Sequence, residues 1–197
     1  MTSLAARSSG WRVVDIVVAS VLAVAFGVVF QAWNGAWELA KPAFLAFPPL
    51  QGFMYGIWLI PAVLVPMIVR RPGAAILGEA LAASVSALLG AQWGLLTVVY
   101  GLMQGGAAEL IFAFGLYRVW NLPIALLAGA AAGAAAVLLD LALYYPDWQP
   151  GYQIVYAALV IPSAALTAGL GSWLLVRALA RTGVLNAFPS GSDQPEV

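Results

Sequence analysis

Two polar side chains interrupt an otherwise apolar stretch of the sequence, GLMQGGAAELIFAFGLY, which runs from Gly101 to Tyr117. Gln104 offers an amide, and Glu109 offers a carboxylate in surroundings where a charged group is costly. Glu79 stands in a second apolar stretch and Asp140 in a third. A carboxylate in such a position is either protonated and hydrogen-bonded to a neighbouring helix, or it meets a positive charge.

The chain offers these acids no cation of its own, because its eight lysines and arginines lie near the ends of the apolar stretches or outside them. A carboxylate beside aromatic faces suits an organic cation, since Coulomb attraction and cation–π contact then act together. The chain has no cysteine and no histidine, which argues against thiolate, zinc and haem chemistry. We therefore expect no cofactor, no bound metal and no nucleic-acid partner.

The elements that must carry these side chains are membrane-spanning helices. Of the 197 residues, 63% are hydrophobic and 8% are charged, whereas about 25% of residues in soluble proteins are charged. A bilayer is spanned by about 20 apolar residues. The sequence therefore predicts an all-α polytopic membrane protein with six transmembrane helices: Val13–Ala32, Leu50–Val69, Gly73–Gly90, Trp93–Leu116, Leu122–Tyr145 and Gln153–Leu179.

The positive charges predict the orientation of these helices in the cell membrane. Six spans place all the arginines on one side, which the positive-inside rule assigns to the cytoplasm, and leave only Lys41 outside. Both termini are then cytoplasmic. The apolar run of the first helix is too long for a signal peptide, so we expect it to be retained. Residues 1–12 form a short cytoplasmic segment, 13–180 the transmembrane domain, and 181–197 a disordered cytoplasmic tail.

Aromatic residues concentrate at the helix ends that this topology places outside. They are Trp33, Trp37, Tyr55, Trp58, Trp93, Tyr100, Tyr144, Tyr145, Trp148, Tyr152 and Tyr156. An interfacial aromatic belt accounts for part of this set, but a belt populates both faces of a membrane. The excess predicts an aromatic-lined pocket that opens to the exterior. The Pro-rich connection from Trp33 to Gly52 is a candidate lid.

Helix 4 leaves two arrangements of its polar residues open. Tyr100 and Gln104 are four residues apart and share one face. Glu109 lies five residues beyond Gln104, about 140° away on a regular helix. A π-bulge at Gly105 and Gly106 would bring Gln104 and Glu109 to one ligand. A straight helix would instead direct Glu109 to a neighbouring helix.

Stripes of small residues predict close helix packing. Ala19, Ala23 and Gly27 follow one another at four-residue spacing in helix 1, and Gly129 and Gly133 do so in helix 5. Such stripes let helix backbones approach closely. The stripe on helix 1 could pack inside the bundle or could face a partner protein.

Three stretches resemble the YkoE family of substrate-binding S components of energy-coupling-factor vitamin transporters. They are WRVVDIVVASVLAVAFGVVF, GFMYGIWLIPAVLVPMIVRRPGAAILGEA and WGLLTVVYGLMQGGAAELIFA, and RRPGAA…GE and QGGAAEL are their specific parts. The resemblance covers most of residues 11–180. It implies a six-helix subunit that binds thiamine or its hydroxymethylpyrimidine precursor and associates with a transmembrane T subunit and two ATPase subunits. It also implies that the stripe of Ala19, Ala23 and Gly27 contacts the T subunit.

The ligand implied by this resemblance has a permanent positive charge and an aminopyrimidine edge that an amide can pair with. The predicted substrate-binding residues are Glu109, Gln104, Glu79, Tyr100, Trp93, Trp58, Tyr55, Gln51, Trp33 and Asp140. The alternatives are a small proton- or cation-coupled carrier that uses Glu79 and Glu109 as a relay, and a purely structural membrane subunit. No phosphate-binding loop or catalytic constellation is present, so we expect no enzyme activity, and ATP hydrolysis would come from partner subunits.

Overall fold

The computed structural model describes residues 10–191, which form helices and connecting turns. The α-helices are α1 Val13–Ala40, α2 Ile60–Val69, α3 Ala74–Leu88, α4 Leu96–Phe114, α5 Leu122–Leu143, α6 Pro150–Ala164 and α7 Gly171–Arg181. Two 3-10 helices, Lys41–Phe44 and Pro48–Leu59, lie between α1 and α2, and a π-helical segment, Ala165–Leu170, joins α6 to α7.

The helices confirm a multi-pass membrane protein. Within the described residues, five helical stretches are long and apolar enough to cross a membrane: Val13–Phe44, Pro48–Val69, Leu96–Phe114, Leu122–Leu143 and Pro150–Arg181. The remaining predicted span, α3, is an apolar helix of 15 residues, about 22 Å long. It packs between α1, α2 and α4.

Helix α1 continues to Ala40, eight residues past the predicted end at Ala32. The connection expected to begin at Trp33 therefore starts only after Ala40. The reason is that inward-facing positions keep helical spacing through the polar part of the sequence. The buried residues of the helix are Asp15, Ala19, Ala23, Gly27, Phe30, Asn34 and Trp37.

The predicted second span is two elements rather than one helix, because 3-10 geometry holds from Pro48 to Leu59 and α geometry begins only at Ile60. Pro61 explains the change, since it cannot donate to the carbonyl of Ile57 and its ring disfavours α geometry in the residue before it. The 3-10 segment lies close against α6. A Cβ atom added to Gly56 would stand 2.6 Å from the carbonyl oxygen of Ser163.

Helix α5 approaches the α6 region as the glycine spacing predicts. A Cβ atom on Gly129 would lie 2.7 Å from the carbonyl oxygen of Ala164, and one on Gly133 would lie 2.7 Å from the Ala164 Cβ. The π-helical segment begins at Ala165, three residues after Pro162 interrupts the α6 hydrogen-bond ladder. The π-helical segment therefore lies between α6 and α7. Helix α4, in which the sequence allowed a π-bulge at Gly105 and Gly106, is a continuous α-helix.

The small-residue stripe of α1 is inside the bundle. Ala19 and Ala23 have no exposed surface, and a Cβ atom on Gly27 would lie 2.5 Å from the Val85 Cβ on α3. This packing favours the first of the two arrangements left open for the stripe of Ala19, Ala23 and Gly27, and Ala19 and Ala23 have no surface left in this bundle for a T subunit. The small side chains serve instead to bring the backbones of α1 and α3 together.

An ion cluster forms where α1 begins. Asp15 is fully buried and accepts from the Arg12 Nη2 at 2.6 Å and from the Arg71 Nε at 2.7 Å. Its carboxylate also accepts from the Arg12 backbone N–H at 3.0 Å, which satisfies a free donor at the helix start. Arg71 thereby ties α1 to the turn between α2 and α3.

The predicted disordered tail is packed as far as Gly191, and its remaining residues lie outside the described part. Leu185 and Phe188 are buried. The Ser190 hydroxyl donates to the Ile68 carbonyl at 3.0 Å, and an Arg12 N–H donates to the Ala187 carbonyl at 3.2 Å. Disorder was predicted from the polar composition of the tail, but Leu185 and Phe188 are apolar residues that anchor it to the bundle.

The buried stripe makes a prediction about stability. Ala23→Trp places an indole between α1 and α3, and overpacking of this kind costs about 1–3 kcal/mol or more. The matched control is Val21→Trp, because Val21 is 62% exposed on the opposite face of the same helix. In detergent, the thermal unfolding midpoint should fall for Ala23→Trp and stay near wild type for Val21→Trp. Equal midpoints for both variants would contradict the packing described above.

Orientation in the membrane makes a second prediction. Leu39 is 86% exposed near the end of α1 and Val184 is 68% exposed beyond α7. With both termini in the cytoplasm, a membrane-impermeant thiol reagent should label Leu39→Cys in intact cells and should label Val184→Cys only after permeabilisation. The native chain has no cysteine, so the background is clean. The opposite labelling pattern would reverse the orientation, and labelling of both in intact cells would contradict the six-span topology.

Candidate functional site

A cavity of about 340 Å³ lies at the end of the bundle where α1 finishes. Its volume falls within the range of small-molecule sites, roughly 300–1,000 Å³. Its lining comes from α1, the two 3-10 segments, α3 to α6, and the turns before α4 and after α5. The lining residues are Phe30, Asn34, Trp37, Lys41, Gln51, Tyr55, Trp58, Glu79, Ala83, Ser86, Trp93, Thr97, Tyr100, Gln104, Asp140, Tyr144, Tyr145 and Tyr156.

Eight of the ten predicted substrate-binding residues line this cavity: Gln51, Tyr55, Trp58, Glu79, Trp93, Tyr100, Gln104 and Asp140. The other two do not. Trp33 points away and donates its indole N–H to the Met54 carbonyl at 2.9 Å. Glu109 is bound at the start of α3, as described below.

Asp140 forms the charged end of the cavity, and tyrosines surround it. Its Oδ1 accepts from the Tyr100 hydroxyl at 2.7 Å and its Oδ2 from the Tyr156 hydroxyl at 2.6 Å. Both distances are within the ordinary range of O–H···O hydrogen bonds. We refer to Tyr55, Tyr100, Tyr144, Tyr145 and Tyr156 as the tyrosine cluster.

Ring contacts hold the tyrosine cluster: Tyr55 meets Trp58 edge-on with centroids 5.6 Å apart, and the other members contact one another and Trp148. Tyr145 stacks on Trp148 with centroids 4.0 Å apart and meets Tyr156 edge-on at 5.6 Å. Burial, together with the nearby charge of Asp140, raises the pKa of Tyr145 to about 12. Tyr145 is therefore a neutral phenol at physiological pH and can act as a donor.

Three tryptophans form the adjoining part of the wall. Trp58 meets Trp37 and Trp93 edge-on, with centroids 5.5 and 5.7 Å apart. The Trp58 indole N–H donates to the Asn34 Oδ1 at 2.9 Å, and the Asn34 amide donates to the Ser86 hydroxyl at 3.3 Å. This network fixes the indole orientation and links α1 to α3 beneath it.

Glu79 has a structural contact as well as a place in the cavity. Its Oε2 accepts from the Ala62 backbone N–H at 2.9 Å. Ala62 is in the first turn of α2, where N–H groups have no partner within the helix, and the positive end of the helix dipole favours a negative charge there. One carboxylate oxygen thus caps α2, and the side chain borders the cavity beside Gln104.

Glu109 caps α3 instead of contacting the cavity. Its two oxygens accept from the backbone N–H groups of Gly73 at 2.6 Å and Ala75 at 2.9 Å. Because α4 is regular, Glu109 points to a different side from Gln104, and the second of the two arrangements left open by the sequence is the one observed. Glu109 lies level with the start of α3.

Burial and the hydrogen bond with Glu109 raise the pKa of Tyr117 to about 12, so this loop tyrosine stays neutral beside the carboxylate. The contact joins the turn after α4 to the start of α3. Glu109 is therefore the centre of a small structural cluster at the opposite end of the bundle from the cavity.

The sequence-based site omitted Asn34, Ser86 and Thr97, which also line the cavity. Asn34 was assigned to a connector, although its spacing from Phe30 and Gly27 continues the buried stripe of α1 and could have identified it. The Thr97 hydroxyl is buried without a hydrogen-bond partner among the described residues, so it is available to a molecule in the cavity. Nothing in the local sequence distinguishes Thr97 from an ordinary helix residue.

Comparisons with known proteins agree with this architecture. The family described as "ABC-type cobalt transport system, permease component" matches residues 14–135. YkoE of Bacillus subtilis (strain 168), named as a candidate HMP/thiamine permease, is 34% identical over 186 residues, which cover 93% of this chain and 92% of YkoE. A crystal structure of an S-component of an ECF transporter matches with a TM-score of 0.89 at 34% identity, over 93% of each chain.

The capping role of Glu109 can be tested through stability. Glu109→Ala removes the acceptor for two backbone N–H groups and should lower the free energy of unfolding by about 1–2 kcal/mol. Glu38→Ala is the matched control, because Glu38 pairs with Lys41 at an exposed position. Chemical or thermal unfolding in detergent should separate the two variants. A Glu109→Ala protein as stable as the Glu38→Ala protein would contradict the capping role.

Proposed function

We propose that this chain, which belongs to the S-component family of energy-coupling-factor transporters, captures thiamine or its hydroxymethylpyrimidine precursor for import into the cell. The observation that carries the proposal is the position of Asp140, a buried carboxylate surrounded by the tyrosine cluster in a cavity of about 340 Å³. A thiazolium ring carries a permanent positive charge, which aromatic faces and a carboxylate attract together.

The charges of the cavity favour a cation over an anion. Glu79 and Asp140 line it, and Lys41 is the only lysine or arginine among the described lining residues. Lys41 is paired with Glu38 at 2.6 Å, and both side chains are about half exposed at the rim. The interior therefore presents carboxylates without a compensating protein cation.

The polar groups of the cavity suit an aminopyrimidine. Gln51 and Gln104 each provide an amide with donor and acceptor atoms, and Glu79 provides an acceptor. The family description names cobalt, yet the described residues contain no group of three or more His, Cys, Asp or Glu side chains that could hold a metal ion. The aromatic lining is that of a site for an organic molecule.

The carrier alternative receives no geometric support. Glu79 borders the cavity, whereas Glu109 is bound to backbone N–H groups at the start of α3. The two carboxylates cap different helices and do not form a continuous relay. Import then depends on partners, which family membership suggests are a T subunit and ATPase subunits that supply the energy.

In this arrangement the cavity faces the exterior and both termini face the cytoplasm. Because the cavity lies at the end of α1 farthest from the N-terminus, the orientation predicted from the arginines opens it to external substrate. Capture from outside is the step that an importer requires of its binding subunit.

Binding tests the proposal directly. Thiamine or hydroxymethylpyrimidine should quench the tryptophan fluorescence of the purified protein, because Trp37, Trp58 and Trp93 line the cavity. Glu79→Gln should weaken binding at least about tenfold, since a desolvated polar partner of the ligand is lost. Glu38→Gln, at the exposed rim, should change affinity less than about threefold. A wild-type protein that binds neither compound would overturn the proposal.

A further inference from the structure

Asp140 is a buried charge without a protein counter-charge. Its side chain is 5% exposed, and the salt bridges within residues 10–191 involve other acids, Asp15 and Glu38. An ionised carboxylate in this position is costly unless its oxygens are hydrogen-bonded and a cation approaches. The hydrogen bonds come from the Tyr100 and Tyr156 hydroxyls, with Tyr55 as a further partner, and no lysine or arginine of the described residues pairs with Asp140.

The two phenols come from different helices. Tyr100 lies on α4, Tyr156 on α6 and Asp140 itself on α5. One carboxylate therefore orients two rings that the sequence separates by 56 residues, and both rings line the cavity. Each hydroxyl has its hydrogen committed to Asp140, so the phenol oxygen presents only its lone pairs elsewhere.

We propose that Asp140 is a positioning residue that makes the site selective for the cationic half of its ligand, acting through Tyr100 and Tyr156. This inference rests on the proposed function and assigns the charge preference to one end of the cavity. The cation lies against the oxygens and rings of the two tyrosines, and the carboxylate behind them polarises both phenols.

Polarisation gives this arrangement its preference. A hydroxyl that donates to an anion gains electron density at its oxygen and ring, because linked hydrogen bonds strengthen one another in a low dielectric. Electron-rich rings attract cations through their faces. Tyr144, with its centroid 6.4 Å from that of Tyr100, and Tyr145, 5.6 Å from Tyr156, extend the aromatic surface around the same point.

The neutral half of the ligand then belongs at the other end of the cavity. Along α4, Tyr100 marks the Asp140 end, and Gln104 follows one turn later, next to Glu79. A Cβ atom on Gly105 would lie 3.1 Å from the Glu79 Cβ, which places Glu79 at this second level. One turn is about 5.4 Å, a separation that suits two linked aromatic rings.

The experiment compares a cationic probe and a neutral probe on the same variants. Thiamine is the cation, and hydroxymethylpyrimidine is the neutral probe at mildly alkaline pH. Asp140→Asn keeps the side-chain shape and removes the charge. We expect its dissociation constant for thiamine, measured by calorimetry, to rise at least about thirtyfold, and that for hydroxymethylpyrimidine to rise less than about threefold.

Tyr100→Phe and Tyr156→Phe provide a test that does not depend on the folding of the Asp140 variant. Each keeps its ring and loses the oxygen that faces the cation, so each should weaken thiamine binding roughly three- to thirtyfold and hydroxymethylpyrimidine binding by less. Tyr152→Phe is the matched control, because Tyr152 contacts Phe47 and does not line the cavity.

The outcomes separate the inference from the function on which it rests. Equal losses for both probes in Asp140→Asn and in the two Phe variants would overturn the inference, because a purely structural tie between helices does not distinguish the charge of a ligand. Wild-type protein that binds neither probe would overturn the proposed function and the inference together.

Discussion

Backbone N–H groups at the starts of α2 and α3 have no partner within their own helices and need acceptors, and the arrangement of the bundle depends on how they are satisfied. At the start of α2, which is buried within an apolar span, water cannot serve this purpose. Glu79 supplies the acceptor for α2 and Glu109 supplies two for α3. Because each glutamate lies on the neighbouring helix in the chain, the caps fix α2 to α3 and α3 to α4, and so fix the walls of the cavity.

The same constraint explains how three buried acids, Glu79, Glu109 and Asp140, are accommodated by hydrogen bonds. Glu109 gives both oxygens to the backbone, Glu79 gives one, and Asp140 gives both to tyrosine hydroxyls. The acids thus form a series from a purely structural carboxylate to one whose hydrogen bonds organise the binding surface. Burial alone does not distinguish these roles, whereas the identity of each donor does.

Sequence reasoning succeeded where a property is local. Hydropathy predicted the helices, and the concentration of aromatic residues predicted the pocket, because both depend on composition along one segment. It failed where a partner lies far along the chain. The role of Glu109 depends on Gly73 and Ala75, and the stripe from Ala19 to Gly27 is matched to Val85 on α3. The end of α1 was predicted too early for a different reason. The polar side chain of Asn34 was assigned to a connection, although its spacing from Phe30 and Gly27 continues the buried face of the helix.

The link between Asp140 and two tyrosines has a consequence for ligand release. The carboxylate joins α4, α5 and α6, so a shift of one of these helices against the others changes the hydrogen bonds that orient Tyr100 and Tyr156. A cation bound against these rings stabilises the joined arrangement, because it compensates the buried charge. By linkage, separation of the helices lowers affinity for the cation by the same factor as the cation favours their association. Under the proposed function, a subunit that captures its ligand outside and releases it inside needs such a coupling, and Asp140 with its two tyrosines would provide it within the cavity.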